Sequence, residues 1–179
     1  QGNAKFNWSR SHYTDRDEVH PGGLLDRLYF QREYYAAAAL LYAPAPGLQL
    51  DYSVDWVLNN LNSTQPDDTR PYRNSILQMI AAKYRYRWLS VTAKALYSIY
   101  INRAMAGEDG KNAGRLSPSL GFSFQPVPGR LLFLRASYKN IFRMPTFNEL
   151  YFDHYGSINL NPEITDQINA GVAWSLPEN

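Results

Sequence analysis

The sequence predicts an all-β chain, an antiparallel up-and-down meander of about eight long strands. Three observations predict it. Apolar residues alternate with polar or small ones in segment after segment, and a period of two is the signature of strands. The alternating segments run to about ten residues or more, whereas strands of globular sheets average about 5–6. Short turns alternate strictly with long polar connections along the chain.

Taken in order, weaker alternating runs at 4–14 and 28–43 supply the first two strands. The third sets Leu48, Leu50, Tyr52, Val54, Trp56 and Leu58 against Gln49, Asp51, Ser53 and Asp55, and a weaker run at 72–86 supplies the fourth. In the fifth, Val91, Ala93, Ala95, Tyr97, Ile99 and Ile101 oppose Ser90, Thr92, Lys94 and Ser98. The sixth is the clearest: Leu116, Pro118, Leu120, Phe122 and Phe124 against Ser117, Ser119, Gly121, Ser123 and Gln125. The seventh places Leu132, Leu134, Ala136 and Tyr138 opposite Phe133, Arg135, Ser137 and Lys139. The eighth sets Ile168, Ala170, Val172 and Trp174 against Gln167, Asn169 and Gly171. Turns are expected at Pro44–Gly47, around Tyr86–Trp88, at Pro126–Gly129 and at Pro177–Asn179. The long connections fall at 15–27, 60–71, 104–114 and 143–162.

Strand length and loop asymmetry together point to part of a transmembrane β-barrel. A tilted strand needs about 9–11 residues to cross a bilayer, and outer-membrane barrels join strands by short periplasmic turns and longer extracellular loops. Strands one, three, five and seven then run outward. The polar face, with Asp51, Asp55, Lys94, Arg135 and Lys139, belongs to the lumen, because an ionised residue facing lipid at the midplane costs about 2–4 kcal/mol. Charges of that size need water or a plug inside, which suits a wide barrel. Aromatic residues make up 15% of the chain, with 14 Tyr and 4 Trp, and such rings suit a membrane–water interface. They suit a soluble β-sandwich binding module too, and that alternative stays open at this point. A helical span is excluded: the longest apolar stretch, 34–45, is far short of the roughly 20 residues required. Mean hydropathy is −0.44.

Composition closes several other routes. There is no cysteine, hence no disulfide, thiolate site or Cys nucleophile. A net charge of +2 from interspersed signs gives no case for nucleic acid. No Gly-x-Ser-x-Gly, His-Glu-x-x-His or phosphate-loop pattern occurs, so the chain is expected not to be an enzyme, and neither cofactor nor metal is called for. Acidic clusters at Asp15–Glu18 and Asp67–Asp68 read as solvated loop charges, with calcium as the alternative. The histidines are His12, His20 and His154.

Residues 140–172 carry a recognisable pair of boxes. The first is Asn140-Ile-Phe-Arg-Met-Pro-Thr-Phe-Asn-Glu-Leu-Tyr151, the second Asn159-Leu-Asn-Pro-Glu163, followed by Gly171 and Val172. In identity, order and spacing they resemble the late barrel strands of TonB-dependent outer-membrane receptors. The resemblance covers this stretch closely and the remainder in architecture alone. It implies that residues 1–179 are a partial receptor barrel domain, with the plug and C-terminal strands outside the excerpt. It further implies a bacterial outer-membrane location, a wide lumen and a plug that contacts TonB. Import would be of a scarce nutrient of the ferric siderophore, haem or cobalamin class. Expected partners are that extracellular ligand, TonB through the plug, and outer-membrane lipid, and the isolated fragment is expected to self-associate. Three departures stand out: no plug segment or TonB-contacting box is present, Asn169 replaces the family's Glu in the strand after the second box, and the sequence ends at Leu176-Pro177-Glu178-Asn179 without the aromatic expected at a barrel's terminus. Separately, Gln1–Phe6 shows no signal peptide. An internal excerpt is expected.

The motif residues Phe142, Arg143, Pro145, Phe147, Asn148, Glu149, Leu150, Tyr151, Asn159, Leu160, Pro162, Glu163 and Gly171 are expected to be structural. Pro145 and Pro162 cannot donate to a ladder, so strands should end near them. Phe142 and Phe147 would anchor the long connection, and Arg143 would join Glu149 and Glu163 at the rim. Ligand contact is assigned to Tyr151, Asp153, His154 and Tyr155, with haem ligation by His154 as what the resemblance allows. Two rivals remain, a small complete outer-membrane barrel with a structural or adhesive role and a hydrolytic barrel enzyme.

Overall fold

The computed structural model describes residues 1–15, 25–64, 69–127, 131–152 and 156–175. Its strands are β1 (Gly2–Asp15), β2 (Leu25–Ala45), β3 (Leu48–Ser63), β4 (Pro71–Tyr86), β5 (Leu89–Ala104), β6 (Ala113–Phe124), β7 (Leu131–Arg143) and β8 (Glu163–Ser175), with one short helix, α1 (Phe147–Tyr151), between the last two. All eight lie in one antiparallel sheet in chain order, so β1 and β8 are its edges and the sheet does not close. The meander expected from the alternating pattern is therefore the observed fold. Even the shortest strand, β6 with 12 residues, is roughly 40 Å long at ~3.3 Å per residue. Tilted by about 45°, it spans close to the ~30 Å hydrocarbon thickness.

Register aligns the apolar residues of neighbouring strands. One row runs Tyr42, Leu50, Ala82, Ala93, Leu120, Tyr138, Ile168, and the next Leu48, Tyr84, Val91, Phe122, Ala136, Ala170. These side chains have no protein to cover them: Ile168 is 79% and Val172 68% exposed. An apolar face of that extent on one chain demands a lipid or protein neighbour. Aromatic rings gather towards the short turns, where Trp88 meets Phe124 edge-on at 5.3 Å and Tyr86 at 6.4 Å. Towards the long connections, Phe6 packs on Tyr34 at 5.1 Å and the Trp56 indole N–H donates to Asn74 Oδ1 at 2.8 Å. Rings with polar tips flanking an aliphatic middle match the depth profile of a bilayer.

The turns are tight for local reasons. Between β2 and β3 only Pro46 and Gly47 lie outside the strands. Gly47 has φ +81°, and a Cβ there would meet the Arg85 carbonyl oxygen at 2.2 Å, so only glycine fits. Between β4 and β5 the turn is Arg87–Trp88, with Arg87 at φ 37°.

One seam departs from the regular pattern. The β6–β7 ladder runs from Phe124↔Leu134 to Ser119↔Lys139 and stops there, although β5–β6 continues to Tyr100↔Ala113 and β7–β8 to Arg143↔Glu163. The next residue of β6 is Pro118, which has no N–H to give. Beyond it the β6–β7 ladder lapses, and the Phe142 ring of β7 meets Tyr100 of β5 and the Arg115 guanidinium of β6.

Candidate functional site

The connection after β7 folds back onto the sheet instead of extending away from it. Pro145 follows the end of β7, and Thr146 starts α1 with a reciprocal capping box. The Thr146 backbone N–H donates to Glu149 Oε2 at 2.7 Å, and the Glu149 N–H donates to Thr146 Oγ1 at 3.3 Å. Five residues cannot sustain a helix alone, so packing has to hold it. Phe147 and Leu150 are buried, and Phe147 forms a cluster with Tyr29 of β2 and Leu61 of β3. Phe152 stacks on Tyr29 at 4.3 Å between centroids. After the helix the chain turns tightly enough that a Cβ on Gly156 would meet Phe152 backbone atoms at 2.7 Å.

Arg73 of β4 fastens this segment. Its side chain is buried, its Nε donates to Asn102 Oδ1 at 2.6 Å, and its Nη2 donates to the Pro145 carbonyl at 2.7 Å. The guanidinium lies 5.2 Å over the Phe147 ring. Among the described residues no carboxylate pairs with Arg73, and a buried cation left so is costly; two carbonyl-type acceptors and an aromatic face offset part of that cost here. Asn102, 1% exposed, passes the linkage on. Its Nδ2 donates to the Lys111 carbonyl at 2.5 Å and its backbone N–H to Asn112 Oδ1 at 2.7 Å. Lys111 Nζ in turn donates to the Asn159 carbonyl and Asn161 Oδ1, both at 2.9 Å. Two long connections, β5–β6 and β7–β8, are thus tied to each other and to the sheet.

The structure brings Arg143, Glu149 and Glu163 together. Arg143 Nη2 donates to Glu149 Oε1 and to Glu163 Oε1, and its Nε to Glu163 Oε2, each at 2.9 Å. The hydrogen bond from Arg143, then that from the Thr146 backbone, holds the Glu149 carboxyl down to about 2. All three side chains are well exposed, so the network orders the rim more than it stabilises the fold.

The other predicted residues fall as follows. Tyr151 is half-buried, edge-on to Phe147 at 6.1 Å. Its phenol oxygen lies so near Gly110 that a Cβ there would be 3.1 Å from it, and burial pushes the phenol up. Asp153, His154 and Tyr155 lie outside the described residues, as do residues 16–18 and 67–68 of the acidic clusters. Phe142 lies within β7, with the Tyr100 ring at 5.9 Å and the Arg115 guanidinium at 6.0 Å. Asn148 and Asn159 contribute their carbonyls, to the Phe152 N–H and to Lys111. Leu160 closes a turn on Ser157, and Pro162 immediately precedes β8. Gly171 belongs to β8, away from this cluster. His12 contacts Asp26 at 2.6 Å on exposed strands. Tyr29, Leu61, Arg73, Asn102 and Lys111 were not singled out by the sequence. They come from β2, β3, β4, β5 and the β5–β6 connection, and only the capping pattern Thr146-x-x-Glu149 could have signalled the helix they receive.

A sheet of long strands, apolar on one face, charged on the other and with long connections at one end, is the wall of an outer-membrane-type β-barrel. Its sequence matches the family described as "TonB dependent receptor-like, beta-barrel" over residues 2–178, and the chain belongs to that family, whose members are receptors of the bacterial outer membrane. No curated protein sequence matches it.

Proposed function

We propose that residues 1–179 are one partial barrel domain of a receptor that imports a scarce nutrient across the outer membrane. The cargo belongs to the ferric siderophore, haem or cobalamin class, and TonB supplies the energy by way of a plug. The observation carrying this reading is the family match across residues 2–178. The polar lumen face and the uncovered apolar face agree with it. The chain performs no chemistry of its own: the described part of the β7–β8 connection is a structural cap on the wall, and ligand contact falls to Tyr151, Asp153, His154 and Tyr155 of the same connection. Transport assays in cells expressing the full-length receptor test this, with iron complexes, haem and cobalamin offered singly. Uptake of one class, abolished when TonB is deleted, is the expected result; uptake that persists without TonB, or none of any class, would reject the proposal.

A further inference from the structure

We propose that the cap formed by the β7–β8 connection is a strap over an incomplete seam. It holds the wall shut where the β6–β7 ladder has lapsed, and its release parts that seam before the neighbouring ones. The ladder ends at Ser119↔Lys139, and no backbone pairing joins residues 113–118 to residues 140–143. The flanking ladders run on, β5–β6 to Tyr100↔Ala113 and β7–β8 to Arg143↔Glu163. At membrane depth an unpaired stretch of strand is tolerated only where protein or a water-filled space covers it. The polar bonds of β7 around the lapse run away from β6. The Tyr138 hydroxyl donates to Asp166 Oδ1 at 2.8 Å, Asn140 Nδ2 donates to the same oxygen at 2.7 Å, and Arg143 donates to Glu149 and Glu163. Each ties β7 to β8 or to α1.

The seam itself is poorly matched. Ser117 is 7% and Asn140 6% exposed, and both lie within two residues of the last rung. Among the described residues neither Ser117 Oγ nor Asn140 Oδ1 has a hydrogen-bond partner, nor has the buried Nε of Arg115. Buried polar atoms left without a bond are costly, and water satisfies them as soon as the seam parts. Across the gap side chains meet in place of backbone: the Phe142 ring has the Arg115 guanidinium at 6.0 Å and the Tyr100 ring at 5.9 Å. The rest of the closure comes from the strap. From the end of β7 the chain reaches past β6 and β5 to β4, where Arg73 Nη2 donates to the Pro145 carbonyl at 2.7 Å. Phe147 then packs with Tyr29 of β2 and Leu61 of β3. On the way back, the Asn159 carbonyl and Asn161 Oδ1 accept from Lys111 Nζ, just ahead of β6, at 2.9 Å each. The end of β7 is thus joined to β4, and the approach to β8 to that of β6, by bonds that bypass the missing rungs.

Isolated outer membranes carrying the full-length receptor, freed of any other cysteine, provide the test. The readout is the rate at which Ser117→Cys reacts with a small methanethiosulfonate. Ser98→Cys is the reference, because Ser98 is as deeply buried and is paired on both sides, with Leu77 and Arg115. Arg73→Met removes the hold on Pro145 while keeping most of the volume. The rate at position 117 should then rise about ten- to a hundredfold, as the loss of a hydrogen bond to a charged group brings, with position 98 little changed. Pro118→Val, with the strap intact, supplies the N–H for the next rung and should lower the rate at position 117 severalfold. This second arm needs no weakened variant, so it decides the matter even if Arg73→Met does not assemble. Equal rises at positions 117 and 98 would mean general loosening, and an unchanged rate in Pro118→Val would mean that the lapse is no opening; either overturns the inference. Neither arm reads cargo uptake, so the receptor reading stands or falls on its own assay.

Discussion

Replacing Phe147 by alanine removes the ring around which the β7–β8 connection is folded. Phe147 is 4% exposed and touches Tyr29 and Leu61 on one side and the Arg73 guanidinium on the other. Truncating a buried Phe to Ala typically costs about 3–5 kcal/mol. The cost falls on a local unit, because α1 is five residues long and depends on this cluster together with the Arg73 bonds and the Arg143–Glu149 bridge. At the lower figure of about 3 kcal/mol the opening equilibrium of the cap rises by roughly two orders of magnitude. Amide hydrogen exchange in the full-length receptor reads this directly. The Leu150 N–H, bonded to the Thr146 carbonyl, and the Ser157 N–H, bonded to the Glu149 carbonyl, should exchange about a hundredfold faster. Strand amides of β3 and β4 remain protected. Phe147→Leu, which keeps most of the volume, should move exchange far less. Unchanged protection at Leu150 and Ser157 in Phe147→Ala would refute the view that packing, and not helix propensity, holds the cap.

Three further outcomes follow from the same structure. Leu120→Arg and Val172→Arg, on the exposed apolar face, should each destabilise the full-length barrel by about 2–4 kcal/mol near the midplane, with Ser119→Arg milder; urea titration in detergent that gives equal losses for all three would contradict the face assignment. Glu149 is ionised in the cap with its pKa lowered to about 2 from 4.5, so its contribution is complete above pH 4.5 and is lost as pH falls towards 2. Limited pepsin digestion should therefore open the cap over that window in the wild type, and Glu149→Gln should show the loosened cap already at pH 5; identical pH profiles would rule the linkage out. The isolated 179-residue chain has two unpaired edges and an uncovered apolar face, which favour association, and light scattering without detergent should show oligomers, a monodisperse monomer being the contrary result.

The wall of the barrel was legible because its cause is local. A lipid neighbour on one side and water on the other impose an alternation that each strand carries within itself, as in Leu132–Lys139 and Gln167–Trp174. The turns at Pro46–Gly47 and Arg87–Trp88 were legible for the same reason: Gly47 is needed at its own φ; of the other two expected turns, Pro126–Gly129 falls in part and Pro177–Asn179 wholly outside the described residues. The β6–β7 lapse was within reach, since Pro118 lacks an N–H, but a proline on an apolar face was read for its side chain alone. The cap was hidden for a different reason. Arg73 and Pro145 stand 72 residues apart, and nothing in the alternation of β4 distinguishes Arg73 from the other polar-face residues. The grouping of Arg143, Glu149 and Glu163 at the rim was legible from their charges beside the strand-ending prolines, and the structure adds the forked geometry that joins them.

The central claim is that the sheet crosses the outer membrane with its long connections outside. These 179 residues contribute no cysteine, so single cysteines placed here, in a full-length receptor from which any cysteine elsewhere has been removed, report position without background. Glu108, exposed in the β5–β6 connection, and Val127, exposed in the β6–β7 turn, sit at opposite ends of β6. In intact cells a membrane-impermeant maleimide should label Glu108→Cys and not Val127→Cys, with Val127→Cys becoming reactive once the outer membrane is permeabilised. Labelling of Val127→Cys alone would invert the topology, and equal labelling of both in intact cells would contradict a membrane-spanning wall.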